Sequence, residues 1–288
     1  MRRRRATAGA ALATAAALTA ALLLGACTRP VHPVDPVHPV DPVHPVDPVE
    51  RPGGQAPQRG GSHGAPPAEQ PPYRRWGLKT PLRPAPKPVS RPTLGPLPVV
   101  ARVPTSDPVV FLTYDDGAER DPRFVAMVRE LRLPVTMFLT DSVVGPGYGH
   151  FARLRSVGAS IQNHTLDHPA LRGLPYAGQR AEICGQQNKL RARFGIRPHL
   201  LRPPYGTYDP TTLRAASDCG LAALVLWRAS LETGHVTFTE GEKHLRPGDI
   251  VSITSGEPAA RTLVDRTTHL LREIQGAGLT VGRLEDYI

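Results

Sequence analysis

The sequence predicts an α/β fold in which helices cover a parallel sheet. From Pro108 onward, short runs rich in β-branched and apolar residues alternate with longer stretches of helical character. Repeated strand–helix alternation is typical of parallel sheets, in which each helix crosses back over the sheet before the next strand. Polar motifs follow several of the apolar runs directly, so we expect them at the carboxyl ends of strands, where such folds place their chemistry.

The predicted elements follow in chain order. We expect strands at Val109–Thr113, Val135–Leu139, Ala159–Ile161, Leu200–Leu201, Ala222–Trp227, Ile250–Ile253 and Leu279–Val281. We expect helices at Arg123–Leu131, His150–Val157, Ala177–Phe194, Thr211–Asp218 and Ala259–Gln275. Asp121 followed by Pro122 is a helix start signal, and Gly195 is a helix end signal.

The amino terminus has the pattern of an export signal. Arg2 to Arg5 precede an apolar Ala/Leu run, and small residues lead to Cys27. A basic region, an apolar region and small residues before a cleavage point are typical of secretory signals. Leu24-Gly25-Ala26-Cys27 resembles a bacterial lipobox, which implies that residues 1–26 are removed and that lipid on Cys27 anchors the chain to the membrane. An uncleaved anchor and an ordinary secretory signal are the alternatives.

A proline-rich linker is predicted for residues 27–104. Val-His-Pro-Val-Asp-Pro occurs three times in residues 31–48. Proline at every third position matches polyproline II, which rises about 3.1 Å per residue, so we expect a semi-rigid stalk of roughly 55 Å. Weak metal binding by the His and Asp rows is the alternative. Residues 50–72 are expected to be disordered, and residues 73–104 to lie along the domain as an extended arm.

Charge and cysteine content indicate which binding partners and which compartment the protein is suited to. Loss of the four arginines in residues 1–26 lowers the formal charge from +10 to +6. A basic exported protein can be drawn to anionic envelope polymers or lipids, although a merely soluble basic surface fits equally well. No aromatic-rich basic signature indicates nucleic-acid binding. Cys184 and Cys219 are expected to pair outside the cell, with free buried thiols as the alternative.

Two polar motifs indicate a catalytic metal site. Asp115 and Asp116 end the apolar run that starts at Val109, and His164 and His168 lie four residues apart further along the chain. One carboxylate and two imidazoles, with water in the remaining position, hold a catalytic divalent metal open to substrate. The second carboxylate is then available as a base. Taken singly, these residues also fit a turn and surface histidines.

These segments resemble the polysaccharide deacetylases, the NodB-homology family of carbohydrate esterases (family 4), over residues 105–288. Three motifs occur in family order: Tyr114-Asp115-Asp116-Gly117, His164-Thr165-Leu166-Asp167-His168-Pro169 and Arg202-Pro203-Pro204-Tyr205-Gly206. The resemblance implies a distorted (β/α) barrel. It also implies action on an acetylated glycan, and we expect the protein to be a monomer.

The resemblance implies a role for each matched residue. The implied metal ligands are Asp116, His164 and His168. The usual metal is zinc, and cobalt or nickel can replace it. Asp115 is implied as the general base, with Arg202 holding it and favouring its ionised form. The backbone N–H of Tyr205 is implied as a donor to the reaction's oxyanion, and Trp227 resembles the tryptophan of the acetyl pocket.

The sequence departs from the family in the last two motifs. After the turn Pro247-Gly248-Asp249, Thr254 stands where the catalytic histidine is expected and Ser252 where a pocket leucine is expected. Arg228-Ala229-Ser230 stands where an acidic residue is usual near Trp227. A positioned acid contributes about 10²–10⁴-fold to rate. Because an amide nitrogen needs protonation more than an ester oxygen does, we expect a slow or altered deacetylase that favours esters.

The sequence therefore predicts a metal-dependent hydrolase that removes acetyl groups from a cell-envelope polysaccharide or peptidoglycan. It is expected to be exported and lipid-anchored, facing the cell wall or periplasm. Three residues are candidates for a substitute acid: Glu232, His235 and His244. One alternative is a catalytically impaired or inactive glycan-binding lipoprotein of the same fold, favoured by the departures at Thr254 and Ser252. The other is a structural wall-spanning protein, which the three ordered motifs disfavour.

Overall fold

The computed structural model describes residues 70–88, 97–231, 234–253 and 262–288. These residues belong to a unit that extends from Gly64 to Ile288. The predicted signal segment, the lipidation site at Cys27 and the repeat of residues 31–48 lie outside them, as do Glu232 and Thr254. Within the described ranges, no helix combines the length and apolar character needed to cross a membrane.

Ten strands of the described residues form the sheet. They are β1 Val99–Val100, β2 Val109–Asp116, β3 Thr136–Leu139, β4 Ser160–Asn163, β5 Leu200–Leu201, β6 Ala223–Val225, β7 Ala229–Leu231, β8 Val236–Phe238, β9 Ile250–Ile253 and β10 Thr280–Val281. Their order is β1-β6-β5-β4-β3-β2-β9-β7-β8, with β10 paired to β2. The strand pairs are parallel except β7–β8, which is antiparallel.

Helices connect and cover the strands. They are α1 Pro72–Arg75, α2 Pro122–Leu131, α3 Asp141–Val144, α4 Tyr148–Ser156, α5 Tyr176–Phe194, α6 Pro210–Asp218, α7 Leu263–Gly276 and α8 Leu284–Tyr287. Asp121 caps α2 by accepting from the backbone N–H of Arg123, and Pro122 follows at the first turn. Gly195 ends α5 with a φ of 66°, a left-handed conformation that glycine adopts readily. The predicted helix signals thus mark real helix ends.

The sheet curls into a distorted barrel. Only residues 226–228 separate β6 from β7, yet these strands lie near opposite ends of the strand order. Because each residue advances the chain by at most about 3.6 Å, the two ends of the sheet must approach each other. A bridge between Arg102 and Asp249 joins the same two ends. The α/β fold with a distorted barrel that the sequence predicts is confirmed.

The residues of β2 alternate between two environments. Leu112 and Tyr114 belong to the cluster that includes Phe124 of α2, so they face the helices. Phe111 belongs to a second cluster, to which several strands contribute through Val100, Phe138, Leu200, Val225 and Ile250. This second cluster is therefore the barrel interior. Since successive side chains of a strand point to opposite faces, Asp115 lies on the interior face above Phe111.

The observed elements differ from the predicted ones where segments are short. The strand expected at Ala222–Trp227 covers only Ala223–Val225. The helix expected from Ala259 is described from Leu263, with Thr262 as its cap, while residues 254–261 lie outside the described part. The sequence missed β1, β7, β8, α1, α3 and α8, because elements of two to four residues are too short to show a period.

Residues 73–88, the described first part of the arm that the sequence predicts for residues 73–104, lie along the domain. Leu78 is buried in the core. Trp76 donates from Nε1 to Glu130 at 2.8 Å, and Arg272 donates to the carbonyl of Gly77 at 2.9 Å. Tyr287 donates to the carbonyl of Pro86 at 2.9 Å. Packing therefore extends to the amino-terminal side of residue 105, and the boundary drawn there from the sequence stays a prediction.

A disulfide joins Cys184 of α5 to Cys219, which follows α6. This is the pairing expected from the sequence. Cys219 packs in a buried cluster with Ile183 and Ala215. Because α5 follows the second sequence motif and α6 follows the third, the disulfide fixes the two helices behind the candidate site to each other.

Candidate active site

The candidate metal centre lies at the carboxyl ends of β2 and β4. Asp116 is the last residue of β2, and His164 directly follows β4. Nε2 of His168 lies 3.0 Å from Oδ1 of Asp116, and Nε2 of His164 lies 3.3 Å from the same oxygen. The two Nε2 atoms are 3.2 Å apart. The three predicted ligands are thus brought together, with their ligating atoms within 4.8 Å of one another.

This arrangement fits a divalent metal. Nitrogen or oxygen ligands about 2.0–2.1 Å from a tetrahedral metal lie roughly 3.4 Å from each other, close to the spacing found here. Two imidazoles and one carboxylate are also a known donor set for catalytic zinc. Burial acts to raise the pKa of Asp116, but hydrogen bonds from His164 and His168 outweigh it and hold this pKa below its ordinary value. The carboxylate is therefore ionised and suited to a cation.

A second hydrogen bond orients the buried ring of His164. Its Nδ1 lies 2.7 Å from the carbonyl oxygen of Arg202. A carbonyl oxygen only accepts, so in the neutral ring Nδ1 carries the proton and Nε2 keeps a lone pair. In that form the lone pair of Nε2 is available to a metal, whereas in the site without a metal a proton on Nε2 donates to Asp116. The carbonyl of His164 accepts in turn from Oγ1 of Thr140 at 2.8 Å.

Asp115 is held on both of its carboxylate oxygens. Oδ1 accepts from Nη1 of Arg202 at 2.7 Å, and Oδ2 accepts from Oγ of Ser252 at 2.7 Å. Asp115 is 6% exposed and Arg202 is 0% exposed. Two hydrogen bonds to a buried carboxylate fix its orientation, because each competing rotamer would leave a buried donor unpaired. The predicted contact between Arg202 and Asp115 is present.

Arg202 connects the two functional groups of the site. Its guanidinium spans the barrel interior, donating to Thr113 and to the carbonyls of Val225 and Leu226, and it lies over the ring of Phe138. Its side chain holds Asp115 while its carbonyl holds His164. One residue therefore sets the position of the carboxylate base candidate relative to the metal ligands.

Ser252 has a role that the sequence reasoning missed. The resemblance treats it only as the replacement of a pocket leucine. In the structure it pairs in register with Thr113, two residues before Asp115, and so lies on the same interior face. The signal was available in the period of two along β9, but only once the register with β2 was known.

Tyr205 and Trp227 close one wall of the site. Tyr205 lies in a short 3₁₀ turn, Pro204–Gly206, with a φ of 59° and 67% exposure. Its ring meets the ring of His168 at 4.8 Å between centroids. Trp227 is half-buried beneath the turn, where a Cβ on Gly206 would lie 3.1 Å from its ring. Glycine at position 206, which has a φ of 66°, allows this close approach.

The comparisons with known proteins agree with this geometry. A family model described as polysaccharide deacetylase matches residues 102–224. An uncharacterized protein of Streptomyces coelicolor is 66% identical over 192 residues, which cover 66% of this chain and 77% of that protein. The chain belongs to the polysaccharide deacetylase family. A chitooligosaccharide deacetylase of Bradyrhizobium is 28% identical over 169 residues, covering 55% of this chain and 77% of that enzyme.

A solved structure shows the same fold. It is a pseudoenzyme of carbohydrate esterase family 4 from Bacillus anthracis, with a TM-score of 0.55 and 19% identity over 67% of this chain and 69% of that chain. At this identity the likeness concerns the fold alone. The NodB-homology fold therefore occurs in deacetylases and in at least one protein described as lacking activity.

Arg228, which stands near Trp227 where the family usually has an acidic residue, has a structural role. It is buried and forms an ion pair with Asp249, of the turn before β9. It also donates to the carbonyls of Glu240, Glu242 and His244, which fixes the loop between β8 and β9. A buried cation with this many acceptors holds a loop in place, so position 228 supplies no acidic group to the site.

The candidates for a substitute acid lie in different places. The backbone N–H of Arg228 donates to the carbonyl of Ile250, and Ile250 pairs with Phe111 of β2. Phe111 lies four residues before Asp115, which is about 13 Å along the strand. The carbonyl of His244 binds the Arg228 guanidinium, which pairs with Asp249 just before the start of β9, so exposed His244 lies towards the sheet edge opposite the metal ligands. His235 is exposed in the turn after β7, at the same edge of the sheet as the metal ligands. Glu232 lies outside the described residues.

Proposed function

We propose that this polysaccharide deacetylase is a metal-dependent hydrolase that removes acetyl groups from a cell-envelope polysaccharide or peptidoglycan. One observation carries the proposal. The carboxylate of Asp115 is oriented by Arg202 and Ser252 directly beside three converging metal-ligand side chains. A glycan-binding module has no need for a buried, doubly held carboxylate next to such a cluster.

The chain's own residues supply the base and the binding positions. Asp116, His164 and His168 would hold zinc, or cobalt or nickel in its place. A bound divalent metal polarises the acyl carbonyl and lowers the pKa of water. Asp115 would take the proton from the attacking water as its oxygen bonds to the acyl carbon. The backbone N–H of Tyr205 would donate to the oxyanion that forms there.

The fate of that proton determines which bond is cleaved. The leaving nitrogen of an amide requires a proton, whereas an alkoxide leaves an ester more readily. With Thr254 at the position of the family's acid, protonated Asp115 is a group of the described site that can return a proton. We therefore propose that O-acetyl groups are cleaved faster than N-acetyl groups.

Export and anchoring form part of the proposal. Lipid on Cys27 would hold the chain at the outer face of the cell membrane, and the repeat of residues 31–48 would carry the domain towards the wall or periplasm. The check is fractionation. The protein is expected in the membrane fraction, and Cys27→Ser is expected to release it.

A glycan-binding role without turnover is the second candidate. Arg228 in place of an acidic residue favours it, as does Thr254 at the position of the catalytic histidine. The family fold also occurs in a protein described as a pseudoenzyme. In this case a polysaccharide would bind and no acetate would be released.

Acetate release tests the proposal. Full-length protein, stripped with a chelator and reloaded with zinc or cobalt, would be incubated with an N-acetylated chito-oligomer and with an O-acetylated sugar. We expect acetate from the reloaded protein and none from the stripped protein or from His168→Ala. Bound oligomer without acetate, from protein that contains one metal ion, would support the second candidate instead.

A further inference from the structure

The segment that carries the two histidine ligands has an unusual backbone. Thr165 has a φ of 72° and His168 has a φ of 62°. A β-branched residue rarely adopts the left-handed region, and such conformations persist only where surrounding contacts hold them. Something outside the segment must therefore stabilise residues 164–168 in the shape that brings both rings to Asp116.

Local contacts account for part of this shape. The N–H of Thr165 donates to the side-chain oxygen of Asn163 at 2.9 Å, and the N–H of His168 donates to Oγ1 of Thr165 at 3.2 Å. The N–H of His164 donates to the carbonyl of Leu139 at 3.1 Å. These bonds leave the two central N–H groups, those of residues 166 and 167, to find partners elsewhere.

Both central N–H groups donate to one carboxylate on α5. Oε2 of Glu182 accepts from Leu166 at 3.1 Å and from Asp167 at 2.9 Å. Charge-assisted hydrogen bonds of this kind are stronger than neutral ones. Glu182 lies 14 to 18 residues beyond the loop it holds, so it is an external support for the curved backbone between the two histidines.

Glu182 is itself firmly placed. The carbonyl of the next residue, Ile183, accepts from the side chain of Asn163 at 3.0 Å, which ties α5 to the end of β4. Cys184 then ties the helix to Cys219 through the disulfide. The carboxylate therefore has a fixed position relative to the strand end from which His164 emerges.

We infer that Glu182 is a positioning residue that sets the metal affinity of the site by holding residues 164–168 in their ligating shape. This inference rests on the proposed metal-dependent function. Both hydrogen bonds that Glu182 accepts from the loop come from backbone N–H groups, so it acts through the backbone of the loop. Loss of a supporting residue of this kind typically lowers metal affinity by about 10–100-fold.

The test measures zinc binding and amide exchange rather than turnover. Zinc would be titrated into full-length wild-type protein, Glu182→Ala, Glu182→Gln and Asn188→Ala, an exposed polar position on the same helix. We expect the zinc dissociation constant to rise about 10–100-fold in Glu182→Ala. It should rise less in Glu182→Gln, which keeps an acceptor oxygen, and remain unchanged in Asn188→Ala.

Hydrogen–deuterium exchange provides a second measurement, which begins with the wild type and uses α5 to check that the variant is folded. In metal-free wild-type protein, the amides of Leu166 and Asp167 should be protected, and the protection should be lost in Glu182→Ala while the protection of α5 remains. Wild-type zinc affinity in Glu182→Ala, or unprotected amides in the wild type, would overturn the inference. A wild-type protein that binds no zinc would instead contradict the proposed function.

Discussion

The half of the site built on β2, β4 and β5 differs from the half built on β7 and β9 in how closely it follows the family. The first half carries the ligand cluster, Asp115 and Arg202, and hydrogen bonds fix each of them. The second half has Ser252 bound to Asp115 and Arg228 bound to Asp249, with Thr254 next along the chain after Ile253. The candidate base and the candidate metal ligands thus keep their arrangement, while the residue at the position expected for the acid differs.

The largest effect is expected from a substitution that removes the base from the first half of the site and leaves the metal ligands in place. Asp115→Asn keeps the shape of the side chain but removes the base, so acetate release should fall about 10²–10⁴-fold. Zinc affinity should stay close to that of the wild type. Rates are measured by acetate detection and affinity by calorimetry. Undiminished acetate release in Asp115→Asn would place the catalytic base elsewhere.

The next effect concerns the support behind the first half. Replacing both Cys184 and Cys219 by serine opens a loop whose ends are 35 residues apart. In the chain-entropy model this lowers the free energy of unfolding by about 4 kcal/mol, which a urea titration would measure. Wild-type protein treated with a reductant serves as the control and should lose a similar amount. An unchanged urea midpoint in both would mean that α5 and α6 hold together without the bond.

A smaller effect probes the link between the halves. Ser252→Ala removes the hydrogen bond to Oδ2 of Asp115, and a hydrogen bond to a charged group contributes about 1.5 kcal/mol or more. We expect kcat to fall roughly tenfold, with KM and zinc affinity little changed. Ser252→Thr keeps a hydroxyl and should retain most of the rate. If Ser252→Ala raised KM and left kcat alone, Ser252 would be lining the substrate pocket rather than orienting the base.

The sequence predicts the first half better than the second for a physical reason. Strand and helix periods, the cap at Asp121 and the end signal at Gly195 are local patterns, and they located most of the longer elements. Motif residues at strand ends were also brought together as expected, because the carboxyl ends of parallel strands meet at one edge. Contacts between side chains far apart in the sequence are not marked by any local sequence pattern.

Two such contacts show the limit. Ser252 and Asp115 are 137 residues apart, and their meeting depends on the register between β2 and β9. Glu182 reaches residues 166 and 167 only because α5 packs beside the end of β4. Register and helix docking arise from packing of the whole barrel, so a single sequence did not reveal them.

The most direct test of the comparison is the selectivity between ester and amide. We would measure kcat/KM of zinc-loaded protein on an O-acetylated sugar and on an N-acetylated chito-oligomer, for the wild type, Thr254→His and Thr254→Ala. The wild type should favour the ester. Thr254→His should raise amide turnover at least tenfold, and up to the factor of about 10²–10⁴ that a positioned acid supplies, and should leave the ester rate nearly unchanged. Thr254→Ala should behave as the wild type. Amide turnover that stays the same in Thr254→His would contradict the account that the altered half of the site has lost its acid at this position.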